Sequence, residues 1–154
     1  MKFSILVKKK IIPFKFPEGV HILKEHHFEF ASICLRSDGI CQINTEEDRL
    51  ITLSESKPIH TMVTEFNEGK PIYIMHVPGK HTNADDETRK FLSSEEGLKQ
   101  RVAIAFVLQS MAQQIVANFY LKINKPEIPT KFFNNQTDAE GWLLSIKNSN
   151  TFKK

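Results

Sequence analysis

The sequence predicts an α/β domain: a mixed, mostly parallel sheet led by an N-terminal β-hairpin and accompanied by about four helices. Three observations carry this expectation. Val102 to Leu108, VAIAFVL, is an unbroken apolar run of strand length, the pattern of a central parallel strand covered on both faces by helices. Around it, strand-like runs alternate with amphipathic segments that carry helix caps, giving three successive strand and helix units. Before residue 53 the pattern differs, with β-branched and aromatic runs on either side of a turn.

In chain order, residues 1–27 hold Pro13, Pro17 and Gly19 among apolar and basic residues, which reads as an extended arm with one short edge strand. Phe28 to Arg36 is a strand, Ser37-Asp38-Gly39 is turn chemistry, and Ile40 to Asn44 pairs back. Ile59, Met62, Val63 and Phe66 share one face of a helix from about Ser54 to Glu68. Gly69 stops that helix, and Pro58 is tolerable because it lies near the first turn. Ile72 to Val77 is the next strand. Asn83, Asp85, Asp86 and Glu87 supply a cap and negative charge to a helix that buries Thr88, Phe91 and Leu92 and ends at Gly97.

After the central strand, Ser110-Met-Ala-Gln113 is a capping box: the hydroxyl accepts from the amide of Gln113, and the Gln113 side chain reaches back to the amide of Ser110. Met111, Ala112, Ile115, Val116, Phe119, Tyr120 and Ile123 then recur at three- and four-residue spacing as the apolar face of a helix. Asn124, with Lys122, Lys125 and Pro126, closes it. Pro129 to Asn134 is the last strand. Thr137-Asp-Ala-Glu140 is a second capping box, opening a helix that turns Ala139, Trp142, Leu143 and Ile146 inward. From Asn148 the polar tail is expected to fray. The domain thus spans residues 28–147, between the arm (1–27) and a disordered tail (148–154).

At 154 residues, 40% hydrophobic and 25% charged, the chain suits one domain, which at this size buries roughly 70% of its unfolded surface. The run Met1 to Val7 before Lys8-Lys9-Lys10 is too short for a signal peptide or for the roughly 20 apolar residues of a membrane span, so a cytoplasmic protein is expected. A net charge of +3 is too weak to argue for nucleic acid. Cys34 and Cys41 flank the turn and can face each other across the hairpin, yet reduced, buried thiols are the expectation in a cytosolic chain.

Residues with chemistry do not fall into a reactive pattern. His26 and His27 are adjacent, His21, His60, His76 and His81 are scattered, and neither cysteine has metal-ligand spacing, so no metal or cofactor is expected. Asp85 and Asp86, as neighbours in a first helical turn, point about 100° apart and serve the helix dipole rather than acid–base work. Glu95-Glu96 is a solvated helix end, and no glycine-rich phosphate loop follows a strand. No enzyme is expected. Binding remains open at two places. The segment Lys8 to Phe16 interleaves cations with Phe14 and Phe16, which can meet an anionic membrane surface or a protein partner, or form an edge strand whose lysines block aggregation. Phe119 and Tyr120 are adjacent, so both cannot point to one core. One of them faces a groove or a second subunit, unless Tyr120 covers the core's edge with its hydroxyl in water.

The order hairpin, helix, strand, helix, strand, helix, strand, helix is similar to the STAS superfamily, the fold of anti-sigma-factor antagonists of the sporulation (SpoIIAA) type. FLSSEEGLK at Phe91 to Lys99, NFYLKINKPEIPTKFF at Asn118 to Phe133, and Trp142-Leu143 resemble a group of bacterial STAS-like proteins common in Bacteroidota. The resemblance covers about residues 28–147, and its motifs are structural. It implies a non-enzymatic regulatory or protein-interaction domain with an unidentified protein partner or as a homodimer. The alternative it implies is a peripheral membrane or lipid- or small-ligand-binding module. In the phosphorylated antagonists an Asp-Ser-Ser-Gly motif puts the acceptor serine at a helix N-terminus, where dipole and free amides favour phosphate. Here the corresponding stretch, Val77 to Asp85, lacks that motif. Thr82, beside Asn83, is the nearest switch position, and the acidic residues 85–87 after it would repel a phosphate.

Overall fold

The structure, a computed structural model, describes residues 9–123 and 125–152. Its elements, in order, are β1 (Ile22–His27), β2 (Ala31–Arg36), β3 (Ile40–Thr45), β4 (Leu50–Ile51), α1 (Leu53–Phe66), β5 (Ile72–Val77), β6 (Asn83–Ala84), α2 (Asp86–Leu92), α3 (Glu95–Leu98), β7 (Arg101–Val107), α4 (Met111–Ile123), β8 (Thr130–Phe133) and α5 (Gln136–Phe152). The main sheet runs β1-β2-β3-β5-β7-β8. β1, β2 and β3 pair antiparallel, while β3, β5, β7 and β8 are parallel, so the sheet is mixed and mostly parallel as the sequence predicts. β4 and β6 form a separate two-stranded parallel piece.

Strand alternation divides the core into two layers. On one face Ile40, Tyr73, Met75, Ala103, Ala105 and Val107 meet Ala139 and Leu143 of α5. On the other, Ile33, Cys41, Ile43, Ile72 and Ile74 meet Ile59 and Val63 of α1. The turn 37–39 closes the hairpin through Gly39 at φ 89°, a region that disfavours residues with a Cβ. Its register pairs Cys34 with Gln42 and Leu35 with Cys41. Residues directly paired share a face, so the two thiols lie on opposite faces and cannot face each other across the hairpin. Both are buried and free, and burial pushes each thiol up to about 12.

The arm lies on its own domain. Glu47 donates its amide to Lys10 O at 3.0 Å, Asn44 Nδ2 donates to Ile12 O at 2.8 Å, and Gln136 Nε2 donates to Lys15 O. Beneath it runs a buried polar ladder. Arg36 Nη2 reaches Asp38 and Glu140, each at 2.7 Å, its Nη1 donates to Gln42 Oε1 at 3.1 Å, and Gln42 Nε2 donates to Asn44 Oδ1 at 3.0 Å. Phe16 covers the Arg36 guanidinium at 5.4 Å and stacks with Phe14. Residues 1–8, which include part of the expected arm, lie outside the described residues.

Several local expectations shift. The helix expected from about Ser54 to Glu68 runs Leu53–Phe66 with Thr52 at its N-cap, whose amide donates to Glu55 Oε1 at 3.1 Å. The helix expected from Asn83 to Gly97 is split. Asp85 caps α2 by accepting from Thr88 N at 2.8 Å, while Asn83 is in β6, and Ser94 opens α3 by accepting from Gly97 N at 3.1 Å. Gly97 is there for close approach rather than to stop a helix, since a Cβ would come within 2.0 Å of Phe91 O. Asn135, not Thr137, caps α5, with Oδ1 accepting from Asp138 N at 2.8 Å, which frees Glu140 to pair with Arg36. α5 also continues past Asn148, where a frayed tail is expected, to Phe152; Asn150 Nδ2 donates to the Tyr73 hydroxyl at 3.2 Å.

Candidate functional site

The largest departure from expectation is at α4. The central strand is closed on the α5 side by its small residues Ala103 and Ala105, both fully buried, but Ile104 and Phe106 on the other side are only half-buried. The reason is the orientation of α4. Gln113 points inward: its Nε2 donates to Gly79 O at 2.8 Å and Thr82 O at 3.0 Å, and its Oε1 accepts from Gln109 N at 2.7 Å, not from Ser110. Ser110 Oγ does accept from Gln113 N, at 3.2 Å, as expected. With Gln113 fixed inward, Ala117 one turn later also faces in and is buried. The stripe Met111, Ile115, Phe119 and Ile123 then turns outward, at 62% to 78% exposure, and only Val116 and Tyr120 of the expected apolar face are half-buried.

A helix pinned at its first turn and facing the sheet with Ala117 leaves space beneath it. That space is a cavity of about 190 Å³ between α4, α1, α2 and the sheet. Its floor is Ile43, Ile74, Ile104, Phe106 and Phe132, and its walls include Ile59, Val63, Val116 and Tyr120. Two polar atoms in it have no partner among the described residues: Thr45 Oγ1 and His76 Nε2. Thr45 is 1% exposed, and the His76 ring lies tilted against Phe106 with centroids 5.4 Å apart. β3 and β5 are parallel neighbours with Ile43 opposite His76, so Thr45 and His76 lie diagonally on the same face. Burial pushes the His76 pKa down to about 4, which keeps the ring neutral.

The opposite end of the cavity is polar but satisfied. Arg101 donates through Nη1 to Thr64 Oγ1 and Lys99 O, each at 2.9 Å, and through Nη2 to His60 O at 3.0 Å. His60 Nε2 pairs with Gly97 O at 3.1 Å, and burial, with the nearby Arg101 charge, holds its pKa below the usual histidine value. At the mouth, Tyr120 donates its hydroxyl to Arg89 O at 3.4 Å and joins α4 to α2. Outside this closure a groove of about 810 Å³ runs between Leu50, Arg89, Ile115, Phe119 and Ile123. Phe119 and Tyr120 therefore divide the roles expected of adjacent aromatics: Tyr120 closes the cavity and Phe119 lines the groove.

The other sequence-singled residues sit elsewhere. Phe14 and Phe16 are half-buried over Arg36, on the far side of the sheet from the cavity. Thr82 is 3% exposed; its hydroxyl donates to Glu46 O and accepts from Arg49 N at 3.1 Å, and it caps no helix. Asn83 donates its amide to Arg49 O at 2.9 Å. Among the described residues no three His, Cys, Asp or Glu side chains come together as a metal set, and no helix is long and apolar enough to cross a membrane.

The chain matches, over residues 33–147, a family described as a domain of unknown function, DUF7793. It belongs to that family. No curated protein matches it. A solved structure, the crystal structure of a protein with unknown function from Arthrobacter sp. FB24, is 23% identical over 72% of this chain and 90% of that one, with a TM-score of 0.24, and carries no structural argument. The part of this DUF7793 chain that matches the family contains the floor of the cavity, the whole of α4 and both unpartnered polar residues. Thr45 and His76 went unmarked in the sequence as a pair. The available signal was one polar residue on the cavity face of each apolar strand, in ICQINT and IYIMHV.

Proposed function

We propose that the chain is a non-enzymatic binding domain of STAS-like build that takes a small, mostly apolar molecule beneath α4. The observation that carries this is the 190 Å³ apolar cavity in which Thr45 Oγ1 and His76 Nε2 lack partners. Buried polar groups are nearly always hydrogen-bonded, and a pre-formed apolar pocket with a few convergent polar groups is the usual form of a ligand site. A neutral histidine on an apolar floor, with no charged group acting on it, supports binding rather than acid–base chemistry. Two buried reduced thiols fit a cytoplasmic setting.

Toluene titrated into the labelled protein and followed by amide NMR tests this reading. Shifts should concentrate at Ile74, His76, Ile104, Phe106 and α4, and Ala117→Phe, which fills the space, should abolish them. Shifts scattered over the surface, or unchanged by Ala117→Phe in a folded variant, would refute it. The exposed stripe Met111, Ile115, Phe119 and Ile123 favours a second reading, regulation through a protein partner or a homodimer at the groove. There, Phe119→Lys would change the oligomeric state seen by light scattering. The docked arm, with Lys9 Nζ donating to Asp48 O at 3.0 Å, gives little support to a membrane role.

A further inference from the structure

We infer that the cavity selects a compact, uncharged ring compound bearing one hydroxyl or ring N–H, of the phenol or indole class, with that group held between Thr45 Oγ1 and His76 Nε2. This rests on the ligand-binding reading of the cavity and adds the ligand's chemistry. Size comes first. An apolar cavity of about 150 Å³ stays dry and binds benzene, so 190 Å³ suits a single ring with one or two substituents. Shape agrees: Phe106 and Phe132, with centroids 5.3 Å apart, offer ring faces and edges to a flat guest.

The polar group follows from the two orphaned atoms. A threonine hydroxyl and a neutral imidazole can each donate or accept, so a ligand hydroxyl can donate to one and accept from the other. Charge is excluded by position. The cavity's cations are Arg89, whose Nη2 is paired with Asp86 at 2.7 Å, and Arg101, already bound to three oxygens. Arg101 pairs in register with Ile72, four residues before His76 on the same strand, which is roughly 13 Å at strand rise. A carboxylate placed between Thr45 and His76 would therefore be buried without a counter-charge.

Binding of p-cresol, toluene and benzoate at pH 7, by calorimetry and by shift of melting temperature, tests this. In the native protein p-cresol should bind more tightly than toluene, and benzoate should not bind. In the double variant Thr45→Val, His76→Phe the cresol hydroxyl would be buried without partners, so p-cresol should weaken at least tenfold while toluene stays within about twofold. Melting curves establish that the variant is folded, and Thr45→Val alone, a near-isosteric change, should give part of the same loss. Toluene binding with equal or weaker p-cresol, or benzoate binding tightest, would overturn the ligand class and leave the cavity reading standing. Failure of all three to bind would overturn both.

Discussion

His76 makes stability depend on pH in a way that can be isolated. The residue is half-buried with its Nε2 shut away from solvent, no carboxylate faces it, and burial alone pushes its pKa down from 6.5 to about 4. In the unfolded chain the ring takes a proton near its ordinary value, so between pH 6.5 and 4 the unfolded state binds more protons than the folded one. The contribution is full at neutral pH and is lost as pH falls through that window. A difference of 6.5 minus 4, or about 2.5 units, at 1.36 kcal/mol each is about 3 kcal/mol, a large part of the roughly 5–15 kcal/mol that holds a domain together. Urea unfolding at pH 7, 6, 5 and 4.5, in wild type and His76→Phe, reads it. His60 is also held below its usual value and moves stability in the same direction, so the quantity that matters is the difference between the two curves. Relative to His76→Phe, the wild type should lose about 2 kcal/mol or more between pH 7 and 4.5. Parallel curves, within about 0.5 kcal/mol, would refute the burial of a neutral ring at this position.

Other substitutions separate the elements. Gln113→Leu removes bonds to Gly79 O, Thr82 O and Gln109 N; at about 1 kcal/mol each the loss is about 3 kcal/mol, read as a fall of roughly 6–12 °C in melting temperature, with faster amide exchange through α4. Ile104→Asp puts an uncompensated charge on the central strand and should abolish the folded state by circular dichroism. Arg36→Met removes the buried guanidinium that bridges Asp38 and Glu140 and should cost about 3–5 kcal/mol in urea unfolding. Deleting residues 1–20 uncovers the same ladder and should lower the melting temperature; an unchanged melt would mean that the arm contributes no stability.

Most strands were legible because their signal is local. Ile72 to Val77 is apolar but for His76 and bounded by Gly69 on one side and Pro78 on the other, so its limits follow from its own residues. Cap positions slipped because each true cap had a competing neighbour: Asn135 beside Thr137, Asp85 beside Asn83. Periodicity gave α4 as a helix but not the face it buries. By apolar count the stripe with Ile115 and Phe119 is the natural inner face, and only the bonds of Gln113, two of them made to a loop more than thirty residues earlier in sequence, turn it outward. Arg36 paired with Glu140 is likewise invisible to any local rule. The orphaned state of Thr45 and His76 depends on what stands opposite them, and that is set by the same rotation of α4.

These facts have one physical origin in β7. Alternation along that strand gives alanines to one face and Ile104 and Phe106 to the other. Small residues let α5 come down onto the sheet, and that layer closes completely around Ala103, Ala105, Ala139 and Leu143. The large residues face a helix whose inner positions are a glutamine already committed to backbone carbonyls and an alanine, neither of which reaches the floor. Filling the gap by rotating α4 would bury Ile115 and Phe119 but would break the Gln113 bonds and leave two carbonyls and an amide unpaired inside. The cavity is therefore held open by hydrogen bonding against the pull of apolar burial, and replacing Gln113 with leucine removes that opposition. In that variant α4 should turn its stripe inward, toluene binding should disappear, and Phe119 should become protected from solvent. If Gln113→Leu still bound toluene as the native protein does, the cavity would owe its shape to something other than this one side chain.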